Sequence, residues 1–154
     1  MDFSPEVPKL QIELMPIVKE LLDEGKTVHN LHFQGVSMLP MLRQKTDTVD
    51  LSPLPEKLKK YDLPVYRYPS GKIVMHRVVA VKDDHYICLG DNTYQYEHIR
   101  PEQMIGLVTS FKRGDKRIEV SGLSYRIYSR VWVAIYPMRK CWRKMKSWLR
   151  RLLK

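Results

Sequence analysis

The feature that most limits the fold of this chain is a series of short, strand-like runs between residues 28 and 122. The runs are rich in β-branched and aromatic residues and end at turn-forming residues such as Pro, Gly and Asp. We predict strands at Val28–Phe33, Asp47–Leu51, Leu63–Tyr68, Ile73–Lys82, Tyr86–Leu89, Ile105–Lys112 and Arg117–Val120. The run Ile73–Lys82 is nearly continuous in apolar residues, which indicates a buried central strand. The sequence therefore predicts a mainly β core.

Helical periodicity replaces this pattern at both ends of the chain. From Pro8 to Glu24 apolar residues recur at helical spacing, which predicts an amphipathic helix that Pro16 kinks or divides. After Gly122 we expect a long helix, broken at Pro137. The predicted units are an N-terminal helical extension (1–27), one β domain (28–122) and a C-terminal basic amphipathic helix (123–154).

Basic residues are concentrated near the C-terminus. The formal net charge is +10, and from Arg139 to Lys154 there are eight Lys or Arg residues and no acidic residue. At helical spacing one apolar stripe contains Trp142, Met145, Leu149 and Leu152 or Leu153. Such a helix is typical of the surface of an anionic membrane, and we expect peripheral contact through residues 131–154. Packing of this helix on its own domain remains an alternative, and nucleic acid is a less favoured partner.

Other classes of protein are disfavoured by what the sequence lacks. Cys88 and Cys141 lie far apart in unlike contexts, which indicates neither a disulfide framework nor a metal cluster. The spacing of His29, His32 and His85 forms no metal motif, so we expect no metal and no cofactor. Neither a secretory signal peptide nor an apolar run of roughly 18 to 20 residues, as a spanning helix needs, is recognised. We expect a cytoplasmic protein, in contact with the inner face of the membrane only peripherally.

A candidate nucleophile and a candidate base lie within the β region. Ser37 follows the first predicted strand, in the segment 34–40 (QGVSMLP), and His76 lies in the segment 74–79 (VMHRVV). A serine hydroxyl needs a neighbouring base to accept its proton during attack. Imidazole is mostly neutral at pH 7 and accepts a proton without special tuning. Arg77 should point to the opposite face of the strand from His76 and serve in structural pairing.

Four segments occur in the order found in the signal peptidase I family. The segment 35–40 (GVSMLP) resembles that family's nucleophile box, 71–81 resembles the strand of the general base, 89–92 (LGDN) resembles the G-D-N box, and 99–106 resembles the segment that follows it. The base position holds His and not Lys, so the resemblance is to the Ser/His branch of endoplasmic-reticulum, archaeal and sporulating-bacterial enzymes. It implies an antiparallel β domain, shared with the SOS repressor proteases, and a serine endopeptidase that acts on peptide or protein substrates through an acyl-enzyme.

The resemblance and the chemistry together assign roles to individual residues. Ser37 is the expected nucleophile, His76 the base, and Asp91 the carboxylate that orients the imidazole. The backbone N–H of Ser37 is the expected oxyanion donor. Gly35 would let the substrate backbone approach closely, and Met38 would help to shape the cleft.

Two further residues are secondary candidates. Glu97 is the nearest candidate for a second acidic residue after the G-D-N box, and His98 is a rival base. The plainer interpretations are that Ser37 caps a helix beginning at Met38 and that His76 is an ordinary core residue.

Two departures from known relatives narrow the functional expectation. Membrane signal peptidases carry a spanning helix before the nucleophile box, and here an amphipathic charged segment takes its place, which puts cleavage of secreted precursors in doubt. Repressor proteases use Lys as the base and carry a DNA-binding domain for which about 34 residues are too few. The alternative to a peptidase is a catalytically inactive module that binds a membrane surface or a protein partner.

Overall fold

The computed structural model describes the backbone of residues 7–153 and the side chains of residues 13–153. The rest of the predicted N-terminal extension, residues 1–6, and Lys154 lie outside this range. Helix and strand each account for about 30% of the chain. The prediction of antiparallel sheets with a helix at each end is confirmed, but the fold is mixed and not mainly β, because the helices are as extensive as the strands.

The elements follow one another along the chain with short connections. The helices are α1 (Val7–Asp23), α2 (Leu123–Ala134) and α3 (Tyr136–Leu152), and a single 3-10 turn spans Pro101–Gln103. The strands are β1 (Val28–Leu31), β2 (Thr48–Ser52), β3 (Pro64–Arg67), β4 (Ile73–Met75), β5 (Arg77–Val81), β6 (Tyr86–Leu89), β7 (Glu97–Ile99), β8 (Met104–Arg113) and β9 (Lys116–Glu119).

The described strands form two antiparallel sheets. The larger has the order β1-β2-β8-β3-β4, and β9 also pairs with β8. The smaller has the order β5-β6-β7. Strand β8 buries Met104, Ile105, Val108 and Phe111 and lies between β2 and β3, which makes it the centre of the larger sheet.

Helix α1 packs on the larger sheet and continues through Pro16, so of the predicted kink or division the division does not occur. Met15, Val18 and Leu22 are buried in the same core as Val108, at the spacing of one helical face. Pro16 lies outside this face and is exposed. Burial of residues on both sides of Pro16 stabilises a helix that continues through it, where sequence alone indicates a kink or a division.

The predicted central strand Ile73–Lys82 is wrong. The run forms two edge strands in different sheets: β4 pairs with β3 of the larger sheet, and β5 pairs with β6 of the smaller one. His76 lies between them, at the point where the chain passes from one sheet to the other. Met75 of β4 is buried in one core and Val78 of β5 in the other, so both halves of the run are apolar and the pattern looks continuous. The short strand β7 was not predicted.

The C-terminal part is two helices, and the predicted break near Pro137 is confirmed. Helix α2 ends before Ile135, and Pro137 occupies the first turn of α3, where a missing N–H costs little. Among the residues that the structure describes, no helix has the length and apolar character needed to cross a bilayer.

Candidate active site

Ser37 lies in a turn that is held from outside by Asn92. The backbone N–H of Asn92 donates to the Ser37 carbonyl at 2.8 Å, and the Asn92 side-chain amide donates to the Val36 carbonyl at 3.1 Å. The Gly35 N–H donates to the Gln44 side chain at 2.9 Å. No helix begins at Met38, so helix capping does not explain Ser37. The turn presents Ser37 half-buried on the wall of a groove.

His76 is buried and held through one ring nitrogen. Its Nδ1 lies 2.9 Å from Glu97 Oε2 and 3.0 Å from the Tyr66 hydroxyl oxygen. The Tyr66 hydroxyl donates its own proton to Glu97, so its oxygen is an acceptor toward the ring. This network assigns the proton of a neutral imidazole to Nδ1 and leaves a lone pair on Nε2.

The second ring nitrogen of His76 has no hydrogen-bond partner. Nε2 is fully buried, and buried polar atoms are paired in the great majority of cases, so this atom stands out. Both Ser37 and His76 line a groove of about 950 Å³. The Ser37 hydroxyl does not bond to Nε2 in this structure. The arrangement thus provides an oriented, unoccupied acceptor beside a groove that also contains a serine.

Gly90 lets the Ser37 turn and the His76 ring approach each other. A Cβ at Gly90 would lie 2.8 Å from the Ser37 carbonyl oxygen and 3.0 Å from His76 Cδ2. Real Cβ atoms essentially never come so close to a backbone oxygen, so no larger residue fits without displacing one of the two. The glycine therefore sets the separation of the two groups.

Glu97 is the carboxylate that contacts the imidazole. It accepts hydrogen bonds from His76, Tyr66 and Tyr68. Burial acts to raise the pKa of Glu97, but these three hydrogen bonds outweigh it and lower the pKa to about 2. Burial, reinforced by the Glu97 charge, raises the pKa of both tyrosines. Glu97 is therefore ionised at neutral pH and beside His76.

The prediction that Asp91 orients His76 is wrong. Asp91 accepts two hydrogen bonds from Arg77, at 2.9 Å to Nε and 2.7 Å to Nη2, and a third from the Tyr128 hydroxyl at 2.9 Å. The carboxylate is buried and fully engaged on the side of Arg77. Residues 76 and 77 point in opposite directions, so Asp91 and Glu97 serve different neighbours.

The pairing expected of Arg77 is present, and its cluster ties α2 to the site. Arg77 is completely buried, its Nη1 donates to the Tyr125 hydroxyl at 2.6 Å, and its Nη2 contacts Met41 Sδ at 3.3 Å. Burial acts to lower the pKa of Arg77, but Asp91 raises it overall. The Asp91 backbone carbonyl also accepts hydrogen bonds from Trp132 Nε1 at 2.9 Å and from Arg139 at 2.7 Å. Asp91 is thus a positioning residue next to Asn92, which holds the Ser37 turn.

The remaining predicted residues have mixed outcomes. Gly35 has a φ of 107°, which favours glycine, and it lies on the groove with open space around it. Met38 is buried in the larger core and also lines the groove. His98 is not a rival base: it lies on the other face of β7 from Glu97 and its Nδ1 bonds His85 Nε2 at 3.0 Å.

Sequence reasoning missed four residues of this site: Tyr66, Tyr68, Gly90 in its packing role, and Asn92. The signal for the tyrosines was available, because Tyr66 and Tyr68 are two apart in a predicted strand and must share a face. The role of Asn92 depends on a contact across 56 residues and left no local signal.

Among the described residues, no group of three or more His, Cys, Asp or Glu side chains is placed to hold a metal ion. The sequence matches no protein-family model, and a search of curated proteins finds no significant match.

Proposed function

We propose that this chain is a serine endopeptidase in which Ser37 is the nucleophile, His76 the general base and Glu97 the carboxylate that orients the base. The observation that carries the proposal is the unpartnered Nε2 of His76, whose ring Glu97 holds through Nδ1, on a residue that lines the same groove as Ser37. An imidazole fixed through one nitrogen and free at the other is the form that a serine nucleophile requires.

The reaction would have two steps, acylation of Ser37 and hydrolysis of the acyl-enzyme, and His76 would transfer a proton in both. His76 Nε2 takes the Ser37 proton as Oγ attacks the scissile carbonyl, and the imidazolium then gives that proton to the leaving amine. Glu97 stabilises the transient positive charge, and its low pKa keeps it ionised for this purpose. The backbone N–H of Ser37 is the proposed donor to the oxyanion. Water, activated by His76, hydrolyses the acyl-enzyme.

The finer fold assignment, a signal-peptidase-like β domain, is part of the same proposal. Three of the segments that resemble the family (35–40, 71–81 and 89–92) come close together at Gly90, where an added Cβ would meet the Ser37 carbonyl oxygen and His76 Cδ2. Agreement in sequence order and in spatial position supports the assignment more strongly than either alone. A peptide or protein substrate would occupy the groove.

A second candidate function is favoured by one specific observation. The Ser37 hydroxyl and Nε2 are not hydrogen-bonded, and Nε2 is shielded from solvent. A module that kept the fold and lost the chemistry would show the same geometry. Catalytic hydrogen bonds are often long in unliganded enzymes and tighten when substrate binds, so we rank the peptidase first.

Covalent labelling separates the two functions. A fluorophosphonate probe reacts with serines that a neighbouring base activates, so intact protein should become labelled at Ser37, as read by peptide mass spectrometry. Ser37→Ala should abolish the label. Ser70→Ala is the matched control, because Ser70 is an exposed serine that lines the same groove, and it should leave labelling unchanged. Absence of label at Ser37 in folded protein, together with identical peptides in cells carrying intact or Ser37→Ala protein, would establish the inactive module.

A further inference from the structure

Helix α3 exposes apolar side chains that no part of the described chain covers. Every residue from Cys141 to Leu153 is exposed. The large apolar residues of the helix are between 47% and 72% exposed, and they are Met138, Trp142, Met145, Trp148, Leu149 and Leu152. An apolar area of this kind on one short helix is unusual for a surface that faces only water. We therefore expect another molecule to cover these apolar side chains of α3.

The exposed apolar and basic side chains lie on opposite faces of α3. With about 3.6 residues per turn, the six apolar residues fall in one continuous sector. The seven Lys and Arg residues from Arg139 to Arg151 fall in the remaining sector, with Ser147 near its middle. This part of the chain has no acidic residue. The helix is therefore amphipathic and strongly cationic at once.

The first turn of α3 is attached firmly to the body of the protein. Tyr136 is buried and stacks on Tyr94, with ring centroids 6.0 Å apart, and packs against Tyr96 at 5.4 Å. The Arg139 guanidinium lies 4.0 Å from the Trp132 ring centroid and donates to the Asp91 carbonyl. The helix is fixed at one end to the loop that also contains Asn92.

We propose that α3 lies in the surface of an anionic phospholipid bilayer, with its apolar sector inserted among the acyl chains and its basic sector in contact with the headgroups. Anionic headgroups complement the cations, and the bilayer boundary takes up the tryptophans and leucines. One partner, the bilayer, then contacts both the apolar sector and the basic sector of α3.

Other occupants satisfy only one half of this surface. Nucleic acid would neutralise the cations but leave the apolar sector in water. A second copy of the chain could cover the apolar sector, but it would bring two cationic helices together without any acidic residue between them. Charge complementarity and the apolar face together favour the bilayer.

Vesicle sedimentation of the full-length protein tests this proposal. Intact protein should bind vesicles of phosphatidylglycerol and phosphatidylcholine in equal parts at least about tenfold more tightly than vesicles of phosphatidylcholine alone. Added salt should weaken the binding. Emission from the tryptophans of α3 should shift to shorter wavelength on binding. The Ser37→Ala protein should bind equally well, so failure of the peptidase proposal would leave this one standing.

Two substitutions that change the net charge by the same amount distinguish insertion into the bilayer from simple charge attraction. Leu149→Glu and Ser147→Glu add the same negative charge to opposite sectors. Leu149→Glu should weaken vesicle binding by about tenfold or more, and Ser147→Glu by about threefold or less. Both residues are exposed, so neither change should alter the melting temperature. Equal weakening by the two substitutions, or tight binding of a duplex oligonucleotide with none to vesicles, would overturn the proposal.

Discussion

His76 and Arg77 are adjacent in the chain, and each is the centre of a cluster built from one carboxylate and two tyrosines. His76 has Glu97, Tyr66 and Tyr68 around it. Arg77 has Asp91, Tyr125 and Tyr128, and its guanidinium lies over both tyrosine rings, 5.1 Å and 5.6 Å from their centroids. The two clusters therefore have nearly the same residue composition.

The two clusters differ in what they leave unpaired. Every nitrogen of the Arg77 guanidinium has a partner, and Arg77, Asp91 and Tyr125 are buried. In the His76 cluster Nε2 has none, and Glu97 retains 22% side-chain exposure toward the groove. A saturated cluster holds elements together, whereas one with a single free acceptor beside a groove is suited to proton transfer. The comparison predicts that substitutions in the His76 cluster reduce activity and that substitutions in the Arg77 cluster reduce stability.

The largest effect should come from His76→Gln. Its amide keeps a donor toward Glu97 but provides no base, so peptidase or probe-labelling rates should fall by about 10⁴-fold. The melting temperature should change by only a few degrees, since the cluster remains hydrogen-bonded. Rates are measured with a peptide substrate found from the cellular comparison. Substantial activity in the variant would remove His76 from the mechanism.

In the Arg77 cluster, Arg77→Met should destabilise the fold. It leaves Asp91 buried without its cation, which typically costs about 3 to 5 kcal/mol in the free energy of unfolding. Adding Asp91→Asn should recover part of the loss, because the unpaired charge disappears. Lys19→Met, which breaks the exposed ion pair with Asp23, is the control and should have far less effect. Urea denaturation gives all four values, and a small loss for Arg77→Met would mean that the clusters do not divide their roles in this way.

Glu97→Gln should separate orientation from catalysis. We expect a smaller loss of activity than in His76→Gln, because the base remains but the imidazolium formed during the reaction loses its counter-charge. Asp91→Asn at the same pH should reduce stability more than it reduces the rate of the folded fraction. The reverse ranking would restore Asp91 as the orienting carboxylate.

The effect of Glu97→Gln on stability should depend on pH. The pKa of Glu97 falls from an ordinary 4.5 to about 2 on folding, so its ionised form stabilises the folded state above about pH 4.5 and this contribution is lost as the pH falls toward 2. The difference in stability between intact protein and Glu97→Gln should therefore be constant at neutral pH and shrink below about pH 4.5. Urea midpoints at about pH 6 and about pH 3 measure it. An unchanged difference at the lower pH would contradict the lowered pKa.

The smallest effects should come from single tyrosine hydroxyls. Tyr68→Phe removes one donor to Glu97 and should lower activity several-fold, with about 1 kcal/mol lost in stability. Tyr128→Phe removes one donor to Asp91 and should cost a similar amount of stability with activity unchanged. Comparing the two variants by rate and by urea midpoint tests the division of roles with the least disturbance of packing.

Most strands and both ends of the chain could be predicted because their signals are local. Alternation and turn residues mark β2, β6 and β9, and Gly122 and Pro137 mark the C-terminal helices. The break at His76 could not be predicted, since an apolar run does not reveal that its halves enter different sheets. Pro16 does not divide α1, because burial of residues on both sides of it outweighs its local preference.

The candidate site was predictable in part. Ser37 and His76 were found from their chemistry and order, and the structure puts both on one groove. The choice between Asp91 and Glu97 was not decidable from sequence, because both follow His76 at plausible distances. Which carboxylate reaches the ring depends on the pairing of β7 with β6, a contact between strands that carries no mark in a single sequence.

The passage of the chain between sheets at His76 has a mechanical consequence. The chain crosses between the two sheets here and returns through the turn at Pro101–Gln103. The His76 ring contacts both sheets, through Tyr66 of β3 in the larger sheet and Glu97 of β7 in the smaller one. A displacement of one sheet relative to the other would therefore have to stretch or break one of these contacts.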